Sequence, residues 1–356
     1  MKKTTEITIR RPDDWHLHLR DGDVLKTVLP YTAELFGRAI IMPNLKPPVR
    51  TRPEILSYRQ RIVDCLPSNH TFQPLMTMYL TDETSPEEIR RCTNDDLIAA
   101  VKLYPVGATT NSEFGVTNSK KVYPALELMQ ELGIPLSVHG ESSGPDVDIF
   151  EREAAFIERD LEPLRQDFPE LKVIFEHLTS KVGVDYVLSS GKEVAATITP
   201  HHLLITRNDI FAGGLQPHMY CLPIAKREED RQAIRKAAVS GDPRFFFGSD
   251  SAPHLVSSKE NAPGAAGIFN IPTALAYVAQ VFEEDSALDR LESFLSTNGA
   301  RFYQLPINSD TITLQKATQP LSEPKDLSIG SDRVRVFRLS DPLQWIVTEG
   351  LKKTSV

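Results

Sequence analysis

Short apolar runs alternate with longer stretches of helical periodicity along most of this chain. Ala39-Ile40-Ile41-Met42, Leu75-Met76-Thr77-Met78-Tyr79-Leu80, Leu97–Val101, Ile134–Val138, Val173-Ile174-Phe175, Val194–Ile198 and Phe245-Phe246-Phe247 are each close to continuously hydrophobic. Runs of that kind are what parallel strands buried on both faces require. An eighth run, Trp15-His16-Leu17-His18-Leu19-Arg20, alternates instead. A strand period of two predicts His16, His18 and Arg20 on one face and Trp15, Leu17 and Leu19 on the other.

The segments between the runs read as helices. Val24, Leu25, Val28 and Leu29 make one apolar face, and Val122, Leu126 and Met129 another, with Gly133 placed to end that helix. Ser85-Pro86-Glu87-Glu88 predicts a capping box with proline at the first helical position. Eight strand-then-helix units predict an α/β fold, a (β/α)8 TIM barrel. An open doubly wound sheet is the alternative, but no Gly-x-Gly-x-x-Gly turn follows the first strand. From about Thr311 the pattern becomes short and polar, apart from the alternating Val334-Arg335-Val336-Phe337. The expected organisation is a barrel over residues 1–310, including an N-terminal extension, and a small C-terminal appendage over 311–356 packed on it.

Composition narrows the class. The 356 residues are 40% hydrophobic and 25% charged with a formal net charge of -8, which is ordinary for a globular protein and weighs against a general nucleic-acid binder. No run approaches the roughly 18 apolar residues of a membrane helix. Met1-Lys2-Lys3-Thr4-Thr5-Glu6 leads into no apolar signal core, and the three cysteines, Cys65, Cys92 and Cys221, form no Cys-x-x-Cys pair. A reduced, cytoplasmic setting without membrane or nucleic-acid partners is expected.

The chemistry lies where the runs end. Barrel active sites form at the C-terminal ends of the strands. Those ends carry His16 and His18, Asn44, Lys102, His139, His177 and Asp250. Imidazoles and a carboxylate suit a borderline-soft divalent ion. One strand-end histidine would be unremarkable; four and an aspartate converging on one rim are hard to ascribe to packing. Lys102 would ordinarily extend to solvent. Beside a metal its ammonium is disfavoured by like charge and desolvation, and a neutral amine can take up carbon dioxide as a carbamate. Arg20 supplies a fork that suits a carboxylate.

His16-Leu17-His18-Leu19-Arg20-Asp21-Gly22, Met42-Pro43-Asn44, Lys102-Leu103-Tyr104-Pro105, Val138-His139-Gly140-Glu141, Phe175-Glu176-His177-Leu178-Thr179 and Gly248-Ser249-Asp250-Ser251-Ala252-Pro253-His254 together resemble the dihydroorotase family. The likeness is to its shorter, homodimeric bacterial branch in the amidohydrolase superfamily, and it runs from His16 to past Gly267. It implies two zinc ions bridged by a carboxylated Lys102. His16, His18, Lys102 and Asp250 would hold one ion, and Lys102, His139 and His177 the other. Asp250 would also be the general base and acid. Arg20, Asn44 and His254 would bind a substrate carboxylate, and backbone groups of Leu222 and Ala266 would hold its ring. The loop Pro105–Gly115, with Thr109 and Thr110 at its tip, would close as a lid; its small, hydroxyl-rich composition suits that task. The implied reaction is the interconversion of dihydroorotate and N-carbamoyl-aspartate in pyrimidine synthesis.

The remaining candidates have simpler readings. His201 and His202 are adjacent, so a strand would send them to opposite faces, and both are taken as structural. His70 and His218 read as surface or loop histidines, Cys221 as a small buried packing residue, and Trp15 as core between strand and helix. Two rival functions stand: a related cyclic amidase such as a hydantoinase, which would not need Arg20, Asn44 and His254 for an anion, and a catalytically silent barrel serving as a binding partner, which would be expected to have lost ligands.

Overall fold

The computed structural model describes residues 4–94, 97–317 and 324–349; the end of the appendage, 350–356, lies outside them. Nine strands precede residue 250: β1 (Glu6–Arg10), β2 (Asp14–Leu17), β3 (Arg38–Ile41), β4 (Gln73–Leu80), β5 (Ile98–Leu103), β6 (Leu136–Val138), β7 (Val173–Phe175), β8 (Val194–Ile198) and β9 (Phe245–Phe247). Strands β2 to β9 form one parallel eight-stranded sheet in sequence order. The eight runs of the sequence are these eight strands. The sheet curls until β9 meets β2, and the closure is made just beyond the strands. Asp250 N–H donates to the His16 carbonyl at 2.9 Å and His18 N–H to the Ser251 carbonyl at 3.1 Å. The Asp14 carboxylate completes it, accepting from the N–H groups of His16 and Ser249 at 3.1 and 2.8 Å.

The sheet separates two cores. Val173, Phe175, Phe245, Phe247 and Ala39 pack against the surrounding helices. Ile40, Ile174, Ala195 and Phe246, on the opposite faces of the same strands, pack with Trp15. Strict alternation would have put Trp15 with Leu17. The pairing of β2 with β3 slips between Asp14 and Leu17, and such a bulge re-aims a side chain. Trp15 is therefore core on the inner face of the sheet, where the helix it packs against is one that closes the barrel interior. It stacks on Tyr303 at 4.6 Å, beside a helix, Asn298–Phe302, that approaches so closely that a Cβ on Gly299 would lie 2.1 Å from the indole nitrogen.

The expected helices at Gly22–Leu35 and Tyr123–Leu132 are present, the second ended by Gly133 at φ 69°. The helix Pro86–Thr93 forms half of its capping box: Ser85 accepts from Glu88 N–H, while the Glu88 carboxylate turns to the N–H of Arg52 at 2.6 Å. The tail strand β10 (Thr311–Lys316) pairs antiparallel with β1 and with β13 (Trp345–Glu349). β11 (Leu327–Ile329) and β12 (Asp332–Val334) form a hairpin, and Phe337 N–H then donates to the Phe269 carbonyl at 2.7 Å. Among the described residues no helix is long and apolar enough to cross a membrane.

Candidate active site

The strand ends bring the imidazoles together with their ring orientations fixed by neighbouring oxygens. His16 Nδ1 lies 2.9 Å from Glu176 Oε2, and His18 Nδ1 2.9 Å from Asn44 Oδ1. With an oxygen acceptor at Nδ1, each neutral ring keeps its proton there and presents the Nε2 lone pair. The two Nε2 atoms stand 3.3 Å apart, and Asp250 Oδ1 lies 3.3 Å from one and 3.0 Å from the other. Three electron-rich atoms at such distances repel unless a cation or a proton sits among them.

Electrostatics follow from this crowding. Burial opposes a charge on His16, but Glu176 and Asp250 outweigh it and raise its pKa. For His18 burial wins and draws the pKa down to about 4. Burial also opposes the Asp250 carboxylate, yet His16, His18 and His177 hold it well below the usual carboxylate range.

The donor set fits a divalent metal. His16, His177 and Asp250 offer donor atoms all within 4.8 Å of one another. Two nitrogens of this cluster, Lys102 Nζ and His177 Nδ1, are buried without a hydrogen-bond partner among the described residues, a state that costs about 1–3 kcal/mol per group if nothing else binds there. Lys102 is fully buried; burial draws its pKa down to about 8 against the pull of Glu176 and Asp250. The His139 ring packs edge-on to His177 with centroids 4.8 Å apart, while its Nε2 pairs with Glu141 at 2.8 Å.

Above this cluster lies an anion-ready wall. Arg20 donates from Nε to the Pro253 carbonyl at 3.2 Å and from Nη2 to His254 Nε2 at 3.0 Å. His254 is thereby kept neutral, its pKa drawn to about 2 by burial and then by Arg20. Arg20 arrives here by a different route from the one alternation suggests. β2 ends at Leu17, and Arg20 takes φ 59°, with its carbonyl held by Tyr58 Oη at 2.7 Å. His177 and Asp250 also have positive φ, 43° and 42°. Such backbone costs a non-glycine residue on the order of 1–3 kcal/mol unless its surroundings fix it.

The loop over the rim is down. Asn44 Nδ2 donates to the Thr110 carbonyl at 3.1 Å, Asn111 Nδ2 to the Asn44 carbonyl at 2.8 Å, and Thr110 Oγ1 to the Ala266 carbonyl at 3.4 Å. Thr109, Thr110, Leu222 and Ala266 line the same cavity as His16, His18 and Asp250. His201 and His202 lie outside it. They sit on a short helix, Pro200–Leu204, with ring centroids 4.4 Å apart instead of on opposite strand faces. Asn270 Nδ2 faces His201 Nδ1 at 3.0 Å, and His202 Nε2 donates to the Pro223 carbonyl at 3.0 Å. Cys221 is buried beside them. His70 is half-buried in a loop; His218, half-buried in the short helical turn Pro217–Met219 rather than in a loop, pairs with Glu260 at 2.8 Å.

Sequence reasoning gave no role to Glu176 or Asp14, which fix the ring of His16 and the seam between His16 and Asp250. The signal was there: each is an acid buried in or closing an apolar strand, one or two residues from a histidine. Tyr104, also given no role, lines the cavity, and its buried hydroxyl has no hydrogen-bond partner among the described residues.

The sequence model of the amidohydrolase family matches residues 13–317. The chain is 54% identical over 343 residues to a dihydroorotase of Chelativorans sp. (strain BNC1), covering 96% of this chain and 99% of that one. The structure resembles that of a dihydroorotase from Saccharomyces cerevisiae in complex with 5-fluoroorotic acid, with a TM-score of 0.88, 37% identity and coverage of 97% and 99%. An L-hydantoinase from Arthrobacter aurescens, at TM-score 0.72, 20% identity and coverage of 87% and 76%, shares the fold alone.

Proposed function

Because the chain belongs to the amidohydrolase family, we propose that it is a hydrolase of cyclic amides that reversibly interconverts (S)-dihydroorotate and N-carbamoyl-L-aspartate in de novo pyrimidine (UMP) biosynthesis. The observation that carries this is the convergence of two Nε2 lone pairs and the Asp250 carboxylate beneath an arginine fork. The family implies a metal cofactor, and the donor set fits one.

Two zinc ions are part of the proposal. His16, His18, Lys102 and Asp250 would hold one, and Lys102, His139 and His177 the other. The Lys102 amine would add carbon dioxide, losing one proton, to become a carbamate, an anionic oxygen donor that would help to hold both ions. When bound, the ions acidify the attacking water and polarise the scissile carbonyl. Asp250 takes the proton of that water and delivers it to the ring nitrogen as the C–N bond breaks; in the reverse direction it removes that proton. Arg20, Asn44 and His254 bind the substrate carboxylate, Arg20 as the charged partner and His254 as its neutral neighbour. Backbone groups of Leu222 and Ala266 hold the ring. The proposal extends to a homodimeric, cytoplasmic enzyme acting on a small molecule, with no nucleic-acid or membrane partner. Its barrel ends near residue 310 and its tail gives support rather than chemistry.

The test is metal analysis of the purified protein beside a dihydroorotate hydrolysis assay. Two zinc ions per chain with turnover support the proposal; a metal-free, inactive protein would favour the silent barrel. The hydantoinase reading is tested by Arg20→Met, which keeps the stem and deletes the fork. Losing a charge-assisted contact should cost about 1.5–3 kcal/mol in kcat/KM, and activity on a ring lacking the carboxylate should fall much less. An equal fall on both rings makes Arg20 structural.

The lid gives a further expectation. If the Thr109 and Thr110 hydroxyls act when the loop closes, they stabilise the transition state and exclude water. Thr109→Ala and Thr110→Ala should lower kcat strongly while melting temperature and zinc content barely change. The double variant should lose less than the sum of the two, because both act through one closure. Steady-state kinetics of all three, with parental turnover as the contrary result, decides it.

A further inference from the structure

Lys259 ends a short helix, Val256–Lys259, behind the wall of the cavity, and is 4% exposed. An ammonium has three N–H donors and no acceptor. Those of Lys259 go to the carbonyls of Tyr220 at 3.1 Å, Ala265 at 2.9 Å and Gly267 at 2.6 Å. Two of these residues flank Ala266, and the third stands two positions before Leu222. Gly267 N–H also donates to the Tyr220 carbonyl at 3.1 Å, so the two segments touch where the ammonium grips them. Between its neighbours the Ala266 carbonyl meets Thr110 Oγ1 of the lid at 3.4 Å.

We infer that Lys259 is a positioning residue for the substrate ring: its buried ammonium ties residues 220–222 to residues 265–267 and so fixes the backbone groups of Leu222 and Ala266. This rests on the reading of those two residues as the ring-holding wall. A buried charge is costly unless paired or fully hydrogen-bonded, and all three of these hydrogen bonds go to main-chain carbonyls of that wall. Burial draws the Lys259 pKa down to about 8, with Cys221 opposing that shift and Arg20 adding to it. A leucine could fill the volume, but it could not set the direction of three carbonyls. Gly267 shows how tight the wall is. A Cβ there would stand 2.8 Å from both the Ala252 carbonyl oxygen and His254 Cδ2.

The test compares Lys259→Met, which keeps length and removes the donors, with Gly267→Ala, which leaves those donors in place and instead presses a Cβ on Ala252 and His254 in the same wall. Each is assayed for kcat, KM for dihydroorotate, binding of orotate as an unreactive ring, and zinc content. For Lys259→Met, KM and the orotate dissociation constant should rise at least about tenfold, kcat should change by less than about threefold, and zinc should stay at the parental level. Gly267→Ala should raise KM as well. If Gly267→Ala weakens ring binding and Lys259→Met does not, the inference fails while the ring-holding reading stands. If neither weakens it, the wall is misplaced and both fall. If Lys259→Met loses zinc and activity together with KM unchanged, Lys259 is merely structural and the inference is overturned. Should Lys259→Met fail to fold, Lys259→Gln carries the same comparison: its amide can reach two of the carbonyls, and ring binding should weaken by an intermediate factor. Parental binding in that variant overturns the inference.

Discussion

Asp250→Asn turns over dihydroorotate at least about 10²–10⁴-fold more slowly than the parent, because general base catalysis is worth that much and an amide cannot take up the proton. The substitution keeps the shape of the side chain, including the Oδ1 that lies between His16 and His18, and the Asp250 N–H that closes the barrel seam is untouched. Folding and most of the metal content should therefore survive. Measuring zinc and kcat on the same sample separates the two roles given to this residue. Near-normal turnover with metal bound removes the base assignment, whereas a loss of both would mean that ligation is its main task.

Lys102→Ala is the second large effect. It removes a fully buried amine that has no hydrogen-bond partner among the described residues. The cavity left by the stem should cost some stability, but losing an unpartnered buried nitrogen offsets part of that cost, so the fold should survive. The expected result is loss of activity and of much of the second zinc ion, with a small carboxylic acid such as acetate restoring part of both. A side chain that merely filled space would not be replaced by a carboxylate in solution. Two zinc ions and normal turnover in the variant without any additive would show that Lys102 is no bridge.

The strands were legible because each is a local apolar run, and burial on both faces leaves that mark in any parallel barrel. The imidazoles were legible because strand ends are where such folds place chemistry. What sets their geometry was not. The Glu176 carboxylate reaches His16 across 160 positions and Asp14 reaches Ser249 across 235; only the closed barrel makes these neighbours. Trp15 was assigned to the wrong side because a one-residue slip in pairing leaves no trace in composition. Arg20 was placed on the correct wall for an incomplete reason: alternation ends at Leu17, and a left-handed residue completes the turn. Lys259 carries no motif at all, since its partners are main-chain atoms of any residue type.

Three residues that face the substrate or the metal in this reading, Arg20, His177 and Asp250, have a left-handed backbone. Glycine would relax each of them, and each is a residue that chemistry does not allow to be glycine. Adaptation toward a hotter habitat therefore cannot relax these three positions. It must work on other parts of the chain, such as the helices and the tail, and the three carry the same fixed cost in every descendant that keeps them.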